Sequence, residues 1–303
     1  MMAMAVVVGC TVLLLVGVLV VVLWGSRRIR EPIDAGPADD PGEAFVVDAD
    51  QPEARTEAKL RALRRYFWWT NVVSFSALVS AVLAAWPGGR LAMRVLAHTS
   101  PDSAQGRLTE AQFNVGFPTF EGSMALLLFA GLPAGYCAAL PYVVLRRWLP
   151  TGRLAGPLLG ALLLVWVGAL LDPLRADNID FDIVRPGWLA VALFGALAVL
   201  HGAVVAAAAG WWSERVPLWS DKSFKYYIPL LLGSVVFPPA GLAVGTGALL
   251  VLIWLSVIPA SRLRSTRPRR VPAWVGTGAV VLASAAALPV FVGAVISITS
   301  RTS

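Results

Sequence analysis

An all-α transmembrane helix bundle is the fold this sequence predicts, with seven or eight membrane crossings and an ordered loop outside the bilayer. Three observations predict it. Of 303 residues, 57% are hydrophobic and only 14% charged, with a mean hydropathy of +0.72, whereas a soluble domain carries roughly 25% charged residues. The apolar residues fall in runs of about 20, the length that spans a hydrocarbon core of ~30 Å. Arginines cluster beside those runs, where they orient the spans against the membrane potential and anionic lipid. Composition excludes a soluble globular enzyme. The formal charge of +7 and pI near 10.0 belong to topology, so no nucleic-acid partner is expected; the expected partner is the lipid bilayer.

The first run, Ala3 to Trp24, has no basic region before it and no small-residue cleavage signal after it, and Arg27, Arg28 and Arg30 follow at once. It reads as a retained anchor over 1–25. Positive flanks stay in the cytoplasm, which puts the N-terminal end of the run outside. Residues 26–66 then form a cytoplasmic segment. Its acidic, proline-rich part from Glu31 to Glu57 cannot bury enough surface to fold alone. After it, Lys59, Arg61, Arg64 and Arg65 with Leu60, Leu63 and Phe67 at helical spacing predict a basic juxtamembrane helix.

A four-span core occupies 67–212, with spans near Trp68–Trp86, Pro118–Leu145, Leu154–Leu171 and Gly187–Trp212. Charge alternates as this topology requires. Arg146, Arg147 and Arg153 fall inside; Asp172, Asp177, Asp180 and Asp182 fall outside. Pro133 and Pro141 kink the third span, and small residues four apart (Gly131, Gly135, Ala139; Ala198, Gly202, Ala206, Gly210) allow close helix approach. Residues 213–303 form a C-terminal membrane region. Tyr227 to Ala260 is long for one span and short for two, and Pro238-Pro239 interrupts it. A single crossing would export Arg262, Arg264, Arg267, Arg269 and Arg270, so a hairpin that returns them inside is favoured. With a final span from Pro272 to Ile298, both termini lie outside. The arginine-dominated basic residues, with Lys59, Lys222 and Lys225 as the three lysines, point to a GC-rich bacterial genome and hence an inner membrane.

The loop from Gly88 to Phe117 carries two short helix signals: Ser100-Pro101, an N-cap with proline at the first position, and Thr109-Glu110-Ala111-Gln112, a capping box. It predicts an ordered external cap. Its candidate functional residues are Arg90, Arg94, His98, Asp102, Arg107 and Glu110; a His with two carboxylates is a metal-ligand set, and the arginines an anion set. Zinc spacing is absent, so salt bridges and caps are the ordinary reading. Asn178, Asp180 and Asp182 alternate as in a calcium loop but lack the later glycine and glutamate. Neither supports a cofactor, and none is expected.

Short blocks here resemble an uncharacterised family of multi-spanning bacterial membrane proteins: Gly89-Arg90-Leu91-Ala92-Met93-Arg94, His98-Thr99-Ser100-Pro101, Gln105-Gly106-Arg107-Leu108-Thr109-Glu110-Ala111, Arg146-Arg147-Trp148-Leu149-Pro150, Asp177-Asn178-Ile179-Asp180-Phe181 and Pro186-Gly187-Trp188-Leu189. The resemblance covers the second to fifth spans. It implies a common membrane core with an ordered external loop, and it transfers no activity.

Within the spans, His201 is the one ionisable side chain near the middle of an apolar helix, a depth at which such groups face protein or a watery cavity. Its two readings are a neutral imidazole bonded across helices and a transport residue. Glu121, just after Pro118 and Thr119, caps a helix or forms a polar mouth with Arg90, Arg94 or Arg107. No phosphate loop, zinc-protease helix or serine elbow appears. The sequence therefore predicts a non-enzymatic scaffold or accessory component with protein partners at the external loop or the cytoplasmic linker. The competing reading is a small-solute or proton-coupled transporter; an intramembrane enzyme ranks third.

Overall fold

A computed structural model describes residues 2–32, 52–257 and 272–301. The arginine run 262–270 and most of the acidic linker lie outside the described residues. All regular structure among those described is helical, apart from one isolated bridge between Leu108 and Asn114. Among the described residues, six helical stretches are long and apolar enough to cross a membrane: Met4–Trp24, Lys59–Thr99, Phe120–Leu145, Gly187–Ser213, Pro238–Val257 and Trp274–Ser300. Ala155–Gly168 is a shorter apolar helix, close to the expected fourth span. The chain divides into two compact units, one of residues 1–28, 76–211 and 272–303, the other of 29–75 and 212–271.

In the first unit, helix α1 (Met2–Trp24) is apolar on every side. It buries Cys10, Gly17 and Val20, a stripe at near-heptad spacing. That stripe meets the ascending chain of the second span. Here α2 (Pro52–Ser80) passes through a π turn at Ala81–Ala85 into α3 (Trp86–Thr99). A Cβ added at Gly17 would lie 2.6 Å from the Leu83 carbonyl oxygen, so only glycine fits where α1 crosses.

The expected loop therefore begins twelve residues late, because Pro87-Gly88-Gly89 reads as a breaker yet is helical. Two things make it so. The π turn takes the backbone past Pro87, whose ring would clash with the carbonyl of a regular turn; Trp86 N–H bonds back to Ala81 O, five residues away. Gly88 lies directly on the Leu197 side chain, so its missing Cβ permits helix contact that outweighs poor helix propensity. The same device recurs at Pro133. Between α4 (Phe120–Leu126) and α5 (Leu132–Leu145) a π turn spans Leu127–Gly131, with Leu132 N–H bonded to Leu127 O.

Helix α6 (Ala155–Leu163) continues into a third π turn, Leu164–Gly168; beyond the one-turn α7 (Asp180–Ile183), α8 (Gly187–Ser213) lies backbone to backbone on α6. A Cβ at Gly156 would lie 2.6 Å from Ala203 Cα, and one at Gly202 would lie 2.5 Å from Gly160 N. Gly135 is pressed on the Ala77 carbonyl in the same way. The four-residue ladders read from sequence are thus helix–helix contacts.

This unit has two distinct ends. At one, Trp24 stacks on Trp211 at 4.3 Å, Arg153 donates to Val22 O at 3.4 Å, and Trp148 covers Gly276 in α11 (Ala273–Ser300). At the other, Arg301 closes on residues 176–182. Trp211 near the end of α8 and Gly276 near the beginning of α11 therefore lie at the same end of this unit.

In the second unit an aromatic layer organises the packing. Trp68 Nε1 donates to Val216 O at 2.9 Å, Asn71 Nδ2 to Tyr226 O at 3.0 Å, and Phe75 stacks on Trp212 at 4.3 Å. Pro238 ends the nine-residue α9 (Ile228–Val236) and begins α10 (Pro238–Val257). A Cβ at Gly241 would lie 2.9 Å from Ser234 O. Residues seven apart in a continuous helix are ~10 Å apart, so α9 folds back on α10 as a hairpin. At ~14 Å, α9 reaches about half the hydrocarbon thickness.

Candidate functional site

Thr99, the last residue of α3, leads into a cap built from two segments, residues 100–119 and 169–186. Ser100 does not cap the short helix expected after it. Its Oγ donates to Leu96 O at 2.6 Å and accepts from Arg185 N at 2.8 Å, while Thr99 Oγ1 donates to Arg185 O at 2.8 Å. Only Asp102–Ala104 is helical, as one 3₁₀ turn. The expected capping box at Thr109 forms a tight reversal instead. Thr109 N–H bonds to Phe113 O, Phe113 N–H to Thr109 Oγ1, and Gln112 sits at φ 62°. The sequence Thr-x-x-Gln satisfies a turn as readily as a helix start when no apolar run follows it at helical spacing.

The second segment docks on the first. Asn178, 8% exposed, donates to Asp172 Oδ1 at 3.1 Å and accepts from Asp180 N at 2.8 Å, forming an Asx turn. Asp180 Oδ1 accepts from Glu110 N at 2.7 Å. Arg175 forms an ion pair with Glu110 and a second with Asp177 at 2.8 Å. From the end of α11, Arg301 donates to Asp182 Oδ1 at 3.2 Å, to Asn178 O at 3.3 Å and to Ala176 O at 2.5 Å. Beneath these bonds, Leu96, Leu174, Phe181, Ala190 and Ile298 form one apolar cluster and Ala97, Ala104, Val115 and Ile183 another. The calcium-like acids are thereby committed to cap structure. Among the described residues, no group of three or more His, Cys, Asp or Glu side chains has the arrangement of a metal site.

The cap's electrostatics follow from this geometry. Burial pushes the Asp180 carboxyl above its usual range, opposed by the hydrogen bond from Glu110 N–H. The side-chain bond to Glu110 raises the already high proton affinity of Arg175.

The sequence candidates are dispersed. Glu110 belongs to the loop-to-loop contact. Arg94 donates to Gly116 O at 3.0 Å, while His98, Asp102 and Arg107 are exposed. Glu121 is exposed in the first turn of α4, where Thr119 Oγ1 is the cap, accepting from Gly122 N at 3.0 Å. Among the described residues no ion pair joins Glu121 to Arg90, Arg94 or Arg107, so the polar mouth is not formed. Arg90, Arg94 and His98 lie on α3 rather than in a loop. Halfway along α8, His201 Nε2 lies 3.2 Å from Ser80 Oγ, which itself donates to Ala77 O at 3.1 Å. That leaves the hydroxyl lone pair to accept from an Nε2–H tautomer, a bond between helices across the membrane interior. Cys10 is buried and Cys137 exposed, both as free thiols.

By length and composition, six candidate spans among the described residues give the chain the character of a helical membrane protein. Comparison with protein-family models, with curated proteins and with solved structures gives no match.

Proposed function

We propose that the protein is a non-enzymatic scaffold or accessory component of a bacterial inner membrane, with the cap as its docking platform on the outer side. The observation that carries this reading is the cap itself. Two loops and the end of α11 are fastened by hydrogen bonds and ion pairs over an apolar floor, while His98, Asp102 and Arg107 remain exposed. Ordered polar surface of this kind requires stabilising contacts at every turn, and a platform uses them. Incorporating a photo-crosslinking residue at 98, 102 or 107 in intact cells should give discrete protein adducts, with none from Leu282, which is 72% exposed on α11. Adducts equal to those at 282, or none, would remove the reading.

The accompanying topology has both ends outside and α9–α10 as a re-entrant hairpin; the family resemblance bears only on the second to fifth spans and their external loop. It is supported by the shared end of α8 and α11 and by the fold-back at Gly241. In a background without Cys10 and Cys137, single cysteines at Ser103, Asp177 and Ser300 should react with a membrane-impermeant thiol reagent, and one at Ser265 should not. Reaction at 265 overturns the hairpin. A small-solute or proton-coupled transporter is the second reading, favoured by the His201–Ser80 bond beside a π turn.

A further inference from the structure

Three successive residues of α3 face three different helices. At ~100° per residue, Gly88 meets Leu197 of α8, Gly89 faces Leu126 of α4 at 3.8 Å, and Arg90 turns to a third side of the helix, which also packs on α1. The α1 contact is antiparallel: Gly17 crosses at Leu83, α1 packs on along α3, and seven residues on in each helix stand Arg90 and the buried Cys10. Cys10 lies eight residues inside the first residue of α1, or ~12 Å along its axis. The Arg90 guanidinium thus sits at the α1–α3 seam, within the apolar length of both helices.

Two of its nitrogens, Nε and Nη2, are buried and have no hydrogen-bond partner. These are not an arbitrary pair. Nε–H and Nη2–H point the same way along one edge of the planar guanidinium and form its side-on fork, which matches two oxygens carried on a single carbon or phosphorus. Arg94, one turn further along, has its own acceptor in Gly116 O at 3.0 Å. A charged group at membrane depth without a partner is costly and marks a functional position. The backbone holds it there, because the glycine contacts to α8 and α4 fix the rotation of α3.

We propose that Arg90 is an oxyanion-binding residue, and that the seam between α1 and α3 takes a phosphate-class anion with two terminal oxygens on the Nε–Nη2 fork. A phospholipid headgroup and free inorganic phosphate both carry this chemistry. The site is independent of the cap and of the scaffold reading, since its ligand lies between helices.

The test uses the full chain in mild detergent, with native mass spectrometry following retention of phosphatidylglycerol and calorimetry following inorganic phosphate. The wild type should bind one equivalent of one probe saturably. Arg90→Gln should weaken that binding at least about tenfold, the scale of lost charge-assisted bonds. Arg90→Lys keeps the charge and loses the fork, so it should also weaken binding several-fold, and Arg94→Gln should not. Phosphatidylglycerol retention that millimolar phosphate does not displace assigns the headgroup; calorimetric binding of phosphate that displaces the lipid assigns the free anion. Absence of saturable binding of either probe to the wild type overturns the proposal, as does unchanged affinity in Arg90→Gln. If Arg90→Gln does not fold, Arg90→Lys decides: weakened binding supports the fork, and wild-type affinity overturns it.

Discussion

The α6–α8 contact allows a quantitative test of what holds the first unit together. Gly156→Ala places a methyl 2.6 Å from both Ala203 Cα and the Gly202 carbonyl oxygen, and 2.9 Å from Ala206 Cβ, where ordinary contact begins near 3.4 Å. The helices must part by roughly 0.8 Å. Overpacking of this kind costs about 1–3 kcal/mol, and lipid offers no hydrophobic term to hold separated helices together. Better helix propensity returns ~1 kcal/mol, so a net destabilisation of up to about 2 kcal/mol is expected. Gly278→Ala is the comparison, because a Cβ there meets nothing within 4 Å; it should stabilise by about 0.4–1 kcal/mol. Titration of micelles with a denaturing detergent, followed by tryptophan fluorescence, measures both. If Gly156→Ala stabilises as Gly278→Ala does, the backbone contact is not a stabilising element and the reasoning fails.

Three further outcomes are expected. Arg301→Ala removes the three bonds that tie α11 to residues 176–182, and amide exchange in that segment should accelerate by about tenfold while the spans stay protected. His201→Phe removes the bond to Ser80 and should destabilise by about 0.6–1.7 kcal/mol, the range for hydrogen bonds between membrane helices; no change in detergent stability would show that the bond is not formed. For Asp180 the sign is opposite to that of a salt-bridged carboxylate. Its folded pKa is raised, so its contribution is fully present below the unfolded value of about 3.9 and is lost as pH rises through the folded value. Asp180→Asn keeps an acceptor for Glu110 N–H and should therefore protect cap amides more than the wild type near pH 7 and equally near pH 3.

The sequence legible in hydropathy was the membrane part. Runs of apolar residues mark α1, the third span, α8 and α11 to within two residues or so, because lipid demands the same apolar length everywhere. The ladders at Gly135 and Gly202 were also legible, since small residues four apart have one use in a helix pair. What hydropathy missed was local chemistry overridden by packing. Pro87-Gly88-Gly89 reads as a stop only when the Leu197 contact is unknown, and Thr109 reads as a cap only when the reversal at Gln112 is unknown. The docking of 100–119 on 169–186 joins residues some 70 positions apart through backbone groups such as Arg185 N and Glu110 N. Nothing in side-chain identity encodes those partners. Arg301 likewise carried no signal beyond its charge.

The π turn at Ala81–Ala85 also makes the second span a joint with a spare residue. Losing one residue inside that turn would restore the α pitch and leave Trp86–Thr99 in phase, with Gly88 still on Leu197 and Arg90 still towards α1. Losing one anywhere else in the first half of α3 would turn the remainder by ~100° and draw it back ~1.5 Å. Tightening the turn to α with every residue kept would turn that segment by ~100° the opposite way and advance it ~1.5 Å, and would set the Pro87 ring against the carbonyl four residues before it. Pro87 accordingly holds the segment from Trp86 to Thr99 at one screw setting, the one that carries the guanidinium into the seam.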